Sequence, residues 1–193
     1  MTAEPIAARS SWRSQISRRL RPFDDAALAW SNRVRPHPRL DRTLYALSTL
    51  GDGGAVWFVA IGVEAVRRPE PLRFVGTTLG WFGVESIAVN GPMKSTARRH
   101  RPALQIEHRH RVRPPGGSSF PSGHAASAGV MAAILSQNSP LAPLWWALAA
   151  GIAVSRVHLG VHHGSDVVAG FGIGVAIGIV ARTVTPAEGH RPR

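Results

Sequence analysis

Five apolar segments restrict how this chain can fold. They cover residues 44–66, 72–93, 125–135, 141–157 and 167–181. A helical span of a bilayer takes about 20 mostly apolar residues. The first two segments meet that length. The other three reach it by extending into the polar residues at their ends. Alternating strand patterns are scarce and no solenoid-type repeat occurs. A soluble all-helical core is the competing arrangement, because short apolar segments are often buried soluble helices. Five of them, however, leave few amphipathic faces to meet water. The expected fold class is therefore all-α, a multi-span transmembrane helix bundle of about five spans.

Details within the segments fit that expectation. Asp52, Glu64 and Glu85 interrupt the first two. Such groups are costly in lipid, so they should face the bundle interior, paired with arginine. Trp57, Trp81, Trp145 and Trp146 lie near segment ends, where tryptophan anchors at the interface. Gly170, Gly174 and Gly178 form a smooth stripe that permits close helix packing.

Charge divides the chain further. It carries 23 Lys+Arg against 11 Asp+Glu, a net +12, and no cysteine. Disulfides, thiolate metal sites and cysteine nucleophiles are excluded. The surplus predicts a nucleic-acid or membrane-surface partner. Nucleic acid explains none of the apolar segments, so membrane lipids are the expected partner. Residues 1–42 hold nine arginines and no apolar signal-type core. The run Ser17-Arg18-Arg19-Leu20-Arg21 is followed by Pro22, Phe23, Asp24 and Asp25 instead of an apolar stretch, so it is not read as a twin-arginine signal. Phe23, Ala27, Trp30 and Val34 recur at helical spacing, with Asp24 or Asp25 as cap and Pro36 as stop. This basic arm is expected to be an amphipathic helix in the membrane interface, or else to pack on its own domain. Residues 43–182 form the bundle and 183–193 a tail.

The polar residues concentrate in two connections, residues 94–121 and 155–166. Alternating spans place both on one side of the membrane, shared with the N-terminus, whatever the orientation. Between them they offer Lys94, the only lysine, with Arg101, His124, Arg156, His162 and Asp166. Cations repel a hard metal ion, which wants several carboxylates. Arg forks and a Lys point charge instead match phosphate oxygens. Pro121-Ser122-Gly123-His124 directly precedes an apolar helix, so a helix N-terminus would face the anion. His162 and Asp166 are four apart. The carboxylate can hold one ring nitrogen and leave the other bare as nucleophile, and His124 can protonate a leaving oxygen.

These residues resemble the type 2 phosphatidic acid phosphatase superfamily, the lipid phosphate phosphatases. Its signature is K-x6-R-P, then P-S-G-H, then S-R-x5-H-x3-D. Lys94 with Arg101-Pro102, Pro121 to His124, and Ser155-Arg156 with His162 and Asp166 match all three in order. The resemblance implies a metal-independent membrane phosphatase without cofactor, acting on a lipid phosphate or diphosphate of polyprenyl or glycerolipid type. It implies His162 as the nucleophile forming a phosphohistidine, Asp166 orienting it, and His124 as general acid. Lys94, Arg101 and Arg156 would hold the phosphoryl oxygens, with Ser122 and the Gly123 N–H completing the cradle. His158 and His163 stand where the family often has aromatic residues, and Gly164 where proline is common.

Some residues receive a plainer reading. Arg98 and Arg99 are expected to touch anionic lipid, with substrate as the alternative. His100, His108, His110, Arg109, Arg111 and Arg113 read as a solvated charge run, with a headgroup rim as the alternative. Lys and Arg number nine in the arm, seven and one in the two connections, against three and three on the opposite side. The positive-inside rule would place the site in the cytoplasm. The rule counts cations kept for chemistry, so the expectation stays with the placement the family resemblance implies, a bacterial plasma membrane with the site extracytoplasmic. Two other functions share parts of the pattern. Vanadium-dependent haloperoxidases carry the same motifs on soluble, larger chains. A non-catalytic phospholipid binder would have no need of His124, His162 and Asp166. Oligomeric state has no sequence signal here.

Overall fold

A computed structural model describes residues 12–102 and 116–185. His108, Arg109, His110, Arg111 and Arg113 lie outside them. Among the described residues there is no strand, and eight α-helices form one bundle. These are α1 (Trp12–Val34), α2 (Pro38–Gly51), α3 (Ala55–Ala65), α4 (Pro71–Ala88), α5 (Lys94–Ala97), α6 (Gly123–Leu135), α7 (Ala142–His158) and α8 (Gly164–Val184).

The first apolar segment is not one smooth helix. A 3-10 turn at Asp52–Gly54 separates α2 from α3, with Gly53 and Gly54 in the left-handed region at φ 63° and 74°. Glycine adopts that backbone at no steric cost. Helix α4 continues through a π turn, Val89–Met93, into α5. The stretches Pro38–Ala65 and Gly164–Val184 are long and apolar enough to cross a bilayer by themselves. Helix α6 is apolar but has only 13 residues. It is the central helix, with ten residues buried on all sides, so its neighbours and not its own length separate it from lipid.

Close packing of α6 on α8 organises the core. A Cβ on Gly178 would sit 2.5 Å from the Ala133 Cβ, and one on Gly129 2.5 Å from the Phe171 carbonyl oxygen. Gly170 and Gly174 lie equally tight on the α6 backbone. The glycine stripe thus packs helix on helix, as its spacing predicts. Outward faces of α3, α4 and α8 expose Val59, Ile87, Val168 and Ile179. Such an apolar girdle suits lipid better than water.

Three expectations need correction. Trp57 and Trp145 are buried in the core, not anchored at an interface, because each fills space between α3, α6 and α7. Helix α1 begins by Trp12, before Asp24, and runs through Pro22, whose cost is one backbone bond rather than the whole helix. Of the three acids, Glu64 pairs with Arg68 at 3.5 Å and Asp52 with Arg156 at 3.7 Å. Glu85 instead accepts from Ser127 Oγ at 2.9 Å. The Asp52 side chain is 61% exposed, since the turn lifts it out of the apolar interior.

Candidate active site

The site lies where the N-termini of α6 and α8, the C-terminus of α7 and the α2–α3 turn meet. Ser122 caps α6, its hydroxyl accepting from the Ala125 N–H at 3.4 Å. The Ser122 N–H donates to the Asp166 carbonyl at 3.0 Å, which ties the start of α6 to the start of α8. Ser122 is wholly buried, so its side chain shapes the helix end. Gly123 packs closely under the site: a Cβ there would lie 3.0 Å from Asn90 Oδ1 and 3.4 Å from Lys94 Nζ. Lys94 Nζ donates to Asn90 Oδ1 at 2.6 Å, one helical turn back.

After α7 the chain reverses at Gly160, φ 65°, and presents His162. Arg101 Nη1 donates to the Val161 carbonyl at 2.8 Å and stands 3.1 Å from His162 Nε2. A guanidinium only donates, so Nε2 is the acceptor and carries the lone pair. The other nitrogen, Nδ1, then carries hydrogen and donates to the Ser119 carbonyl at 2.7 Å. The backbone of Ser119 therefore sets the tautomer, a task sequence spacing gave to Asp166. The Asp166 carboxylate is 3.9 Å from Nδ1 and acts on the ring through its charge. It accepts from Ser119 Oγ at 2.7 Å, the His163 N–H at 2.9 Å and Arg99 Nη1 at 2.5 Å. Burial holds the His162 imidazole below its ordinary pKa, with Asp166 opposing and Arg101 and Arg156 reinforcing. Burial also lowers Lys94, and the nearby charges of Arg101 and Arg156 add to it, while Glu85 opposes.

His124, on the first turn of α6, directs Nε2 at Asp52 Oδ1, 2.8 Å away. Arg156 is buried in the last turn of α7; its Nη1 donates to Ser48 Oγ and lies 3.7 Å from Asp52 Oδ1. The motif residues from three separate stretches thus share one polar centre. Arg99 does not face lipid: it bridges Asp166 and Asp24, the latter at 2.6 Å. Arg98 and His100 are exposed beside it. Asp52, Asn90, Arg99 and Ser119 are site residues that the motifs do not contain. Gly-Asp-Gly-Gly inside an apolar run is a turn signal that marks Asp52, and Asn90 sits at i−4 from Lys94. Among the described residues no group of three or more His, Asp or Glu is arranged to hold a metal ion.

The model of the PAP2 superfamily matches residues 74–189, which include every motif residue above. The chain belongs to the PAP2 superfamily. This PAP2 protein is 32% identical over 151 residues to the decaprenylphosphoryl-5-phosphoribose phosphatase of Mycobacterium tuberculosis, covering 76% of this chain and 81% of that one. The enzyme of the same name from Mycolicibacterium smegmatis is 34% identical over 129 residues, 65% and 68% of the two chains. In fold it is similar to a transmembrane PAP2 type phosphatidylglycerolphosphate phosphatase from Bacillus subtilis, with a TM-score of 0.70, 20% identity and coverage of 90% and 89%. Aquifex aeolicus LpxE gives a TM-score of 0.66 at 28% identity, covering 81% and 94%. The PAP2 bundle is thus a membrane-protein fold with its phosphatase motifs intact.

Proposed function

We propose that this PAP2 protein hydrolyses a lipid phosphate through a phosphohistidine on His162. The observation that carries the reading is the unprotonated Nε2 of His162, with Nδ1–H committed to a backbone carbonyl and the Arg101 guanidinium 3.1 Å from the Nε2 lone pair. A phosphoryl group placed there has Arg101, Arg156 and Lys94 around its oxygens and the α6 N-terminus below it. Positioning and positive charge are what phosphoryl transfer needs. Nε2 attacks phosphorus, His124 gives its proton to the leaving oxygen, and water then cleaves the P–N bond.

The substrate we favour is a polyprenyl-phosphoryl sugar phosphate, on the strength of what the mycobacterial relatives are named for. Polyprenyl diphosphate, phosphatidate and phosphatidylglycerophosphate are the competitors. Phosphate release from these four lipids in detergent, with His162→Ala as control, tests both points. No release from any of them sinks the reading, and so does strong EDTA inhibition reversed by a divalent cation. Vanadate should inhibit as a mimic of the bipyramidal transition state. We place the protein in a bacterial plasma membrane with the site extracytoplasmic and α1 in the same interface. The chain has no cysteine, so Ser95→Cys, exposed beside the site, reports its side. Labelling of intact cells by an impermeant maleimide is expected.

A further inference from the structure

Helix α1 lies outside residues 74–189, where the family model matches, yet it reaches the centre. Asp24 is 8% exposed and makes three polar contacts there. Its Oδ1 accepts from the Ser165 N–H at 2.8 Å, and its Oδ2 from Ser165 Oγ at 3.0 Å and Arg99 Nη2 at 2.6 Å. Beyond that pair, Arg99 Nη1 donates to Asp166 Oδ1 at 2.5 Å and to Ser165 Oγ at 2.7 Å. Asp166 Oδ2 in turn takes the hydroxyl of Ser119, whose carbonyl holds His162.

Helix α1 docks at two further points, Gly164 and the His158 carbonyl. A Cβ on Gly164 would sit 2.8 Å from the Ala27 Cβ and 3.0 Å from the Phe23 ring, so a larger residue would push α1 away. The His158 carbonyl accepts from Ser31 Oγ at 3.0 Å and Arg35 Nη2 at 2.9 Å. The contact is therefore built into this chain at two separate points.

We infer that Asp24 of α1 is a positioning residue for the catalytic imidazole, acting through Arg99 on Asp166 and so on His162. The inference rests on the phosphohistidine reading above. Asp24, Arg99 and Asp166 form a triad with two negative charges and one positive. Asp24 shares the arginine, so Asp166 keeps more of its own charge for the imidazole. Without Asp24, Arg99 neutralises Asp166 and the ring loses proton affinity. Without Arg99, both carboxylates act on the ring. Arg101, Arg156 and Asp166 face His162 directly, with His124 across the site and His100 and His163 beside it. None of these changes in the variants below.

The test uses the full-length protein in detergent, with dioctanoylphosphatidate as substrate. Asp24→Asn should lower kcat roughly tenfold with KM within about twofold. Its acid limb should move to lower pH, and that of Arg99→Gln to higher pH. Asp24→Glu should recover most of the activity. Ser31→Ala removes one α1 contact away from the triad and should leave the acid limb in place. The His162 imidazole pKa, read by nitrogen NMR of histidine-labelled protein, should shift down in Asp24→Asn and up in Arg99→Gln. That readout needs no turnover, so an inactive wild type overturns the phosphatase reading and leaves the coupling measurable. Asp24→Asn with wild-type kcat and acid limb overturns the inference. Shifts of the same sign in the two variants, or an equal shift in Ser31→Ala, overturn it as well.

Discussion

The two histidines of the site are braced in different ways. His162 sits between a backbone carbonyl and a guanidinium and is 2% exposed. The carboxylate behind it takes a hydroxyl, a backbone N–H and an arginine. His124 has a single carboxylate partner, Asp52, on a turn open to solvent. That turn is held by two left-handed glycines between α2 and α3. The side of the proposed nucleophile is preorganised by many contacts, and the side of the proposed acid by one contact on an exposed turn. The difference follows the chemistry. A nucleophile needs one fixed line of attack, whereas an acid must follow a leaving oxygen as it departs.

The largest effects should come from the rigid side. His162→Ala should lower phosphate release by roughly 10⁴-fold or more, because the proposed attacking nitrogen is gone. A residual rate within tenfold of wild type would remove His162 from the nucleophile's place. Asp166→Asn should cost about a hundredfold in kcat. The loss is smaller because the Ser119 carbonyl, not Asp166, holds Nδ1–H, so the correct tautomer survives. A loss as deep as that of His162→Ala would mean that the carboxylate sets the tautomer after all.

The same contrast explains what could be read from the chain alone. The five apolar segments became helices because their composition admits little else in lipid. Lys94, Arg101, His124, Arg156, His162 and Asp166 were legible because each sits in a short motif against an apolar helix. Ser119 was not, since it contributes a carbonyl, which every residue has. Asp24 is 141 residues from the serine it holds, and no local pattern carries that pairing. Asp52 was read as a flaw in a span because the apolar run masked the Gly-Asp-Gly-Gly turn around it.

An intermediate effect is expected on the acid side. Asp52→Asn removes the charge that favours protonated His124. It should slow alkyl phosphates such as dioctanoylphosphatidate roughly tenfold, and p-nitrophenyl phosphate hardly at all, because a good leaving group needs no proton. Equal losses on both substrates would show that Asp52 serves the phosphoryl group instead. In the pH profile of kcat/KM, the acid limb belongs to free His162. Protonation fills the Nε2 lone pair, so activity falls as pH drops through that pKa. Burial keeps it below the ordinary value of about 6.5. That limb should therefore lie below pH 6.5, and Asp52→Asn should leave it unmoved. A limb above 6.5 would contradict the buried, cation-flanked imidazole.

The smallest effect isolates the exposed turn itself. Gly53 has φ 63° and no heavy atom within 4 Å of a Cβ built on it. Gly53→Ala therefore meets no clash, and its only cost is left-handed strain of roughly 1–2 kcal/mol. Relief of that strain rotates the turn and with it Asp52, while His162 and its partners on α7 and α8 stay in place. The expected result is a two- to threefold loss on alkyl phosphates (about 0.4–0.7 kcal/mol in barrier), no change on p-nitrophenyl phosphate, and an unmoved acid limb. A matching loss on the aryl substrate would mean that the turn also supports the nucleophile. The two histidines would then be one braced unit, and the contrast between a many-contact side and a single-contact side would fail.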